Sequence, residues 1–310
     1  DRINRGRAPY KQWLQQGVTY LQTELIDPSL AEEPFDEATL RSYHKLFQLT
    51  TEEVEQVLRP MAETEQEATG SMGDDTPMAV LSRRNRPLYD YFRQAFAQVT
   101  NPPIDPLRED CVMSLATQLG RETNIFHAGP ETVNHILLNS PVLSQRKLRQ
   151  MMVMPQYADK NRLIDLAYEV DEGLQAGIER ICLQAEQAVR EGMVMLLVSD
   201  RYPVPGRPMV HALLATGAIH HHLCRVGLRC DANLIIETGT ARDAHHVACL
   251  LGFGATAVYP YLSYQTLFDM GRRGILQLKK GEVAQIGRSY RKGIYKGLSK
   301  IISKMGIATI

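Results

Sequence analysis

The chain has 310 residues, with 35 Lys or Arg and 35 Asp or Glu, so its formal net charge is zero. This balance argues against a nucleic-acid-binding protein, which would carry a basic excess or patch. The sequence contains no run of about 18 apolar residues, so it predicts no membrane span.

Residues 1–68 are polar, and prolines at Pro9 and Pro28 interrupt their helical patterns. Apolar residues recur at helical spacing between residues 36 and 48, namely at Leu40, Tyr43, Leu46 and Phe47. A threonine followed closely by glutamate predicts a second helix over residues 51–58. We expect residues 1–68 to form a helical strap that packs on another part of the protein. Residues 69–310 would then form one α/β domain.

The most unusual stretch is residues 71–109, where two polar turns bracket an aromatic segment. The turns are GDDTP at residues 73–77 and a second turn at residues 83–87. After the second turn, the apolar spacing from Leu88 to Phe96 predicts a helix. This helix must end before Pro102-Pro103. Rigid polar turns can line a passage or an active-site rim. The alternative is that they are structural turns only.

Further along the chain, the apolar stretches 113–120 and 142–154 are predicted to lie in loops, followed by a strand at 161–168. A helical apolar period covers residues 173–191. Beyond residue 191, strands and helices alternate. The predicted strands are 193–199, 232–237 and 256–259, and the predicted helices are 209–226, 242–251, 264–272 and 283–304. Repeated strand–helix units predict a parallel sheet, either open or closed into a barrel.

The last strand–helix units have the rhythm of a flavin-binding barrel, in which glycine-rich turns offer N–H groups to a phosphate. Here the first turn keeps only Gly239, and the turn after the last strand reads Tyr259-Pro260-Tyr261. Proline has no N–H to donate. We therefore expect a barrel-like parallel β/α domain that resembles a degenerate flavin-binding barrel and binds no cofactor itself.

Candidate metal and catalytic residues are few. Adjacent residues of a helix point about 100° apart, so the three side chains of His220–His222 cannot all bind one ion. We interpret both His220–His222 and His245–His246 as helix-surface or packing residues. The five cysteines lack CxxC spacing, which argues against a zinc site, an iron–sulfur cluster or a disulfide framework. No Ser/His/Asp or Cys/His arrangement is recognisable. We expect no catalytic, cofactor-binding or metal-binding residue in this chain.

Several long motifs resemble the central region of the glutamate synthase large subunit and of ferredoxin-dependent glutamate synthase. The motifs are GSMGDDTP (70–77), YDYFRQAFAQVTNPPIDPLRE (89–109), MSLATQLGRETN (113–124), LRCDANLIIET (228–238), LLGFGATAVYPYL (250–262) and KGLSKIISKMGIATI (296–310). The resemblance covers nearly the whole chain and is looser before residue 70. Motifs of this length are highly specific.

The resemblance implies a function. The family makes two glutamates from glutamine and 2-oxoglutarate. A glutaminase domain releases ammonia, which passes through an internal tunnel to a domain with FMN and a three-iron four-sulfur cluster. The resemblance implies that this chain connects those two domains, helps to wall the tunnel and is not catalytic by itself. A free-standing flavin-barrel oxidoreductase is the alternative.

The resemblance also implies partners and site residues. The partners would be the glutaminase and FMN domains of the same chain, with an NADPH-dependent small subunit or ferredoxin, in the cytoplasm or, for a plant form, the plastid. Because the chain begins at Asp1 and stops before a flavin domain, we expect it to be a piece of a longer protein. The implied tunnel residues lie in the SMGDDTP and QVTNPPIDP loops and are Met72, Gly73, Thr100, Asn101, Ile104 and Asp105.

Overall fold

The computed structural model describes residues 8–21, 33–68, 80–83, 85–93, 112–124, 126, 129–277 and 283–310, and every structural statement concerns these residues. The strands are β1 Val18–Tyr20, β2 Thr117–Leu119, β3 His135–Leu138, β4 Asn161–Asp165, β5 Met195–Ser199, β6 Asn233–Glu237 and β7 Ala257–Tyr259. Single 3-10 turns occur at Leu88–Tyr91, Pro130–Val133 and Arg229–Asp231.

The helices before the second sheet are α1 Tyr10–Gly17, α2 Glu37–Leu46, the composite helix α3 and α4 Gln145–Val153. Helix α3 runs as α-helix at Thr51–Glu53, as a π-helical turn at Val54–Leu58 and as α-helix again at Arg59–Thr64. The later helices are α5 Gly173–Arg190, α6 Ala212–Arg225, α7 Ala244–Gly252, α8 Tyr261–Arg272 and α9 Val283–Met305.

The main sheet contains β4, β5, β6 and β7 in chain order, and all neighbouring strands are parallel. All five residues of β6 are buried, which requires packing on both faces of the sheet. Val142 adds one parallel bridge to Val258 beyond β7. The predicted parallel sheet of strand–helix units is therefore confirmed. Closure of this sheet into a barrel stays a prediction.

Two apolar stretches that were predicted to lie in loops contain regular structure. Strand β2 lies within residues 113–120 and pairs antiparallel with β3, while β1 pairs parallel with β3 on its other side. Helix α4 lies within residues 142–154 and begins after Ser144, whose hydroxyl accepts a hydrogen bond from Lys147 N. The loop prediction was wrong because these elements are short and gain their stability from tertiary packing.

The aromatic helix predicted from Leu88 is also wrong in the described part. Only one 3-10 turn forms, and Phe92 already has extended backbone angles, φ −101° and ψ 130°. Tyr89 is fully buried, and its ring stacks on His246 with 4.3 Å between centroids. This packing of one aromatic ring overrides the local helical spacing. The remainder of that predicted helix, from residue 94, lies outside the described residues.

Helix α3 packs on the last helix, α9. Leu58 and Met61 have no exposed surface. A Cβ atom placed on Gly293 of α9 would lie 2.8 Å from the Gln66 carbonyl oxygen and 3.1 Å from Met61 Cβ. Ion pairs follow the same seam, from Lys292 to Glu65 at 2.7 Å and from Lys300 to Glu67 at 2.5 Å. The described part of the strap thus shares the core with the final helix.

This close approach predicts the effect of a single methyl group. Alanine favours a helix over glycine by about 1 kcal/mol, yet Gly293→Ala is expected to destabilise the protein by about 1–3 kcal/mol because the helices must separate. The matched control is Gly252→Ala in α7, where a Cβ would meet nothing within 4 Å. Thermal unfolding of both variants tests this, and equal melting temperatures would contradict the packing argument.

Candidate functional site

The carboxyl ends of β5, β6 and β7 lie at one edge of the main sheet, which we term the carboxyl edge. In parallel α/β sheets, ligands bind at this edge. Here it carries Asp200 and Arg201 after β5, Thr238 and Gly239 after β6, and Tyr261 after β7. This edge is therefore the candidate functional site of the described structure.

A buried ion pair crosses the carboxyl edge. Arg201 Nη1 donates to Glu237 Oε1 at 3.0 Å, and the two side chains are 6 % and 5 % exposed. The Ser199 hydroxyl donates to Glu237 Oε2 at 2.7 Å. The Arg201 guanidinium also lies 5.2 Å from the centroid of the Tyr261 ring, a cation–π distance. Since the pair is desolvated and hydrogen-bonded, removing either partner would leave a buried charge.

Asp200 ends a chain of hydroxyl groups. With Asp200 ionised, Tyr89 donates to Thr240 at 2.9 Å, Thr240 donates to Thr238 at 2.8 Å, and Thr238 donates to Asp200 Oδ2 at 2.5 Å. Gly239 N donates to Asp200 Oδ1 at 2.9 Å. No described cationic side chain forms an ion pair with this carboxylate. Burial raises the pKa of Asp200 to about 7, although the hydrogen bonds from Thr238 and Gly239 act in the opposite direction.

The strap covers the carboxyl edge. A Cβ atom on Gly239 would lie 2.9 Å from the Phe47 ring, so the strap touches the turn that follows β6. The Tyr43 hydroxyl donates to the Arg201 carbonyl at 2.7 Å. Arg242 binds the strap twice, with Nη1 on the Glu53 carboxylate and Nη2 on the Phe47 carbonyl. The Phe47 side chain therefore occupies the position after β6 where a barrel enzyme would hold a phosphate.

These contacts do not fit a flavin phosphate. The N–H of Gly239 is already used by Asp200, and the Phe47 ring fills the space above this glycine. Pro260, at the end of β7, offers no N–H. The turn after β6 thus has its glycine N–H used and covered, and Pro260 supplies none of the glycine-turn donors that a phosphate site requires.

Three of the histidines singled out in the sequence have hydrogen-bond partners within the protein. His222 Nε2 pairs with Glu186 at 2.6 Å, and His220 Nδ1 accepts from Arg229 Nε at 3.0 Å. His245 Nε2 lies 3.0 Å from the Tyr89 carbonyl oxygen. Across the described part of the chain, no three His, Cys, Asp or Glu side chains are grouped so as to hold a metal ion. No helix in this part is long and apolar enough to cross a membrane.

The predicted tunnel residues are Met72, Gly73, Thr100, Asn101, Ile104 and Asp105, and all six lie outside the described residues. Their role stays a prediction. Sequence reasoning missed the Asp200–Arg201–Glu237 group. Two signals could have found it: a charged pair directly after a largely apolar strand, and one glutamate that follows three apolar residues in the NLIIE strand.

Among the solved structures that align with this chain, one example has low structural similarity. A flavocytochrome b2 mutant with benzoylformate aligns over 47 % of this chain and 31 % of that chain, with 12 % sequence identity and a TM-score of 0.32. A TM-score this low does not establish a shared fold.

Sequence comparison identifies relatives. The NADPH-type glutamate synthase large chain of Azospirillum brasilense is 42 % identical over 310 residues, covering 97 % of this chain and 20 % of the relative. The chloroplastic ferredoxin-dependent glutamate synthase 2 of Arabidopsis thaliana is 38 % identical, covering 97 % of this chain and 19 % of the relative. This chain spans about a fifth of the length of these relatives. The family model of the glutamate synthase central domain matches residues 42–310, and the chain therefore belongs to the glutamate synthase central domain family.

Proposed function

We propose that this chain is the non-catalytic central domain of a glutamate synthase, connecting its glutaminase and FMN domains and helping to wall the ammonia passage between them. The observation that carries this proposal is the loss of the phosphate position after β6, where Phe47 packs on Gly239 and the N–H of Gly239 is used by Asp200. A domain whose phosphate position is filled by its own side chain is suited to a structural role. The family match supplies the reaction to which this role belongs.

In this proposal, the whole protein converts glutamine and 2-oxoglutarate, with two electrons and two protons, into two glutamates. The FMN and the three-iron four-sulfur cluster belong to domains other than this one. The electrons come from NADPH through a small subunit or from ferredoxin, since relatives named for both donors match this chain. The cellular site is the cytoplasm or, as the names of plant relatives suggest, the plastid.

The ammonia passage is proposed to use the SMGDDTP and QVTNPPIDP loops. The main-chain carbonyls of Met72 and Thr100 and the side chain of Asn101 would guide ammonia, and Gly73 and Asp105 belong to the same two loops. Ile104 would narrow the bore and exclude water, which keeps ammonia uncharged and prevents its loss. These roles rest on the sequence motifs alone.

The test uses the full-length enzyme with Ile104→Trp. Glutamate formation driven by glutamine is expected to fall by about tenfold or more, equivalent to about 1.4 kcal/mol of added barrier. Glutamine cleavage and glutamate formation from added ammonium should remain close to wild type, because neither step needs the passage. Ile104→Val is the matched control. If the tryptophan variant keeps its glutamine-driven turnover, this loop does not line the passage.

A further inference from the structure

A cavity of about 520 Å³ opens beside the strap at the carboxyl ends of β5 and β6. Its size is that of a small-molecule site. The polar side chains in its lining include Gln48, Asn85, Asp200, His211, Thr240 and Arg242. The proposed connecting function does not use this cavity.

Two residues that line the cavity, His211 and Arg242, each have an N–H group without an acceptor in the described structure. His211 Nδ1 accepts from Leu213 N at 3.2 Å, so the neutral ring carries its proton on Nε2. Burial lowers the pKa of His211 to about 4, so the ring is neutral at pH 7. Arg242 uses Nη1 and Nη2 on the strap, while its buried Nε has no hydrogen-bond partner.

The same wall contains a carboxyl group without a cation, which is ionised above its pKa of about 7. Asp200 is 2 % exposed, and its carboxyl group accepts hydrogen bonds from Gly239 N, from the Thr238 hydroxyl and from the Tyr261 hydroxyl. A carboxylate has about four acceptor positions, so one is left for a ligand. The other described carboxylates around the cavity are occupied, since Glu53 pairs with Arg242 and Asp90 with Arg86. Asp200 is thus the carboxylate that a cationic ligand group would reach.

We propose that this cavity binds the zwitterionic head of a small L-α-amino acid, with its ammonium group on Asp200 and its carboxylate on the N–H groups of His211 and Arg242. A simple anion would face the carboxylate of Asp200, and a simple cation would face the guanidinium of Arg242. A ligand with both charges on one carbon offers a partner to each of these groups. The amides of Gln48 and Asn85 then suit a neutral polar side chain.

The ligand test compares molecules that differ by one group. The probes for the purified 310-residue chain are L-asparagine and L-leucine, with succinamate lacking the amino group and 3-aminopropanamide lacking the carboxylate. Calorimetry is expected to give a dissociation constant of about 1 mM or tighter for at least one amino acid. The two analogues should bind at least about tenfold more weakly. Absence of binding by both amino acids, or equal binding of an analogue, overturns the proposal.

Variants then locate the site. Asp200→Asn is expected to weaken amino-acid binding about tenfold or more by removing the charge, and His211→Phe removes the donor at the other end. The control is Asp231→Asn, which alters an aspartate in the turn before β6 that pairs with Arg121. Circular dichroism and melting identify the folded variants. The assignment is overturned if a folded Asp200 or His211 variant binds the amino acid as tightly as Asp231→Asn does.

Discussion

Arg201→Ala is expected to lower the free energy of unfolding by about 3–5 kcal/mol. The substitution leaves the Glu237 carboxylate without its cationic partner. This carboxylate is 5 % exposed and keeps only the hydroxyl of Ser199 as a described partner. It also removes the cation above the Tyr261 ring. Urea unfolding of the wild type and the variant measures the loss.

Two further variants separate the stranded charge from a general loss of packing. The exposed pair of Arg162 and Glu191, with side chains 45 % and 42 % exposed, is the control, and Arg162→Ala should cost less than about 1 kcal/mol. Replacing both buried partners, as Arg201→Met with Glu237→Leu, should recover most of the stability. A single Arg201 variant as stable as the Arg162 variant would contradict this account of the carboxyl edge.

Asp200→Asn is expected to remove a pH-dependent loss of stability. Burial raises the pKa of Asp200 to about 7 in the folded protein, whereas an unfolded aspartate has a pKa of about 3.9. Between these values the folded state holds a proton that the unfolded state has released. Stability therefore falls as pH rises from about 4 to about 7, by an amount on the order of 4 kcal/mol. Asparagine keeps the shape and cannot ionise.

The measurement is the difference in unfolding free energy between the wild type and Asp200→Asn at pH 5 and at pH 8. As pH rises, the unfolding free energy of the variant should increase relative to that of the wild type. The contributions of other titrating groups cancel in the difference. Asp231→Asn, at an aspartate paired with Arg121, controls for the general effect of removing a carboxylate. If the difference in unfolding free energy is the same at both pH values, the pKa of Asp200 is not raised in the folded protein.

The sheet and most helices were predictable because their signals are local. The apolar runs that became β5 and β6, and the helical period that became α5, each lie within about twenty consecutive residues. The helix predicted from Leu88 failed because Tyr89 is held by His246 and Thr240, contacts that no local window contains.

The carboxyl edge was not predictable for the same reason. Its cover depends on Arg242 meeting Glu53, a contact between residues 189 positions apart. The sequence correctly indicated missing phosphate-binding glycines but not that Phe47 fills the space above Gly239. The six tunnel residues come from motif resemblance alone, and their placement stays a prediction.

The seam between α3 and α9 has a consequence for how the protein is made. Its ion pairs join residues 227 and 233 positions apart, Glu65 with Lys292 and Glu67 with Lys300. At a synthesis rate of about 5–20 residues per second, the ribosome needs roughly ten seconds or more to supply α9 after α3 has emerged. Leu58 and Met61 lack this packing partner throughout that interval. The nascent chain therefore exposes the apolar face of α3 until α9 leaves the ribosomal exit tunnel.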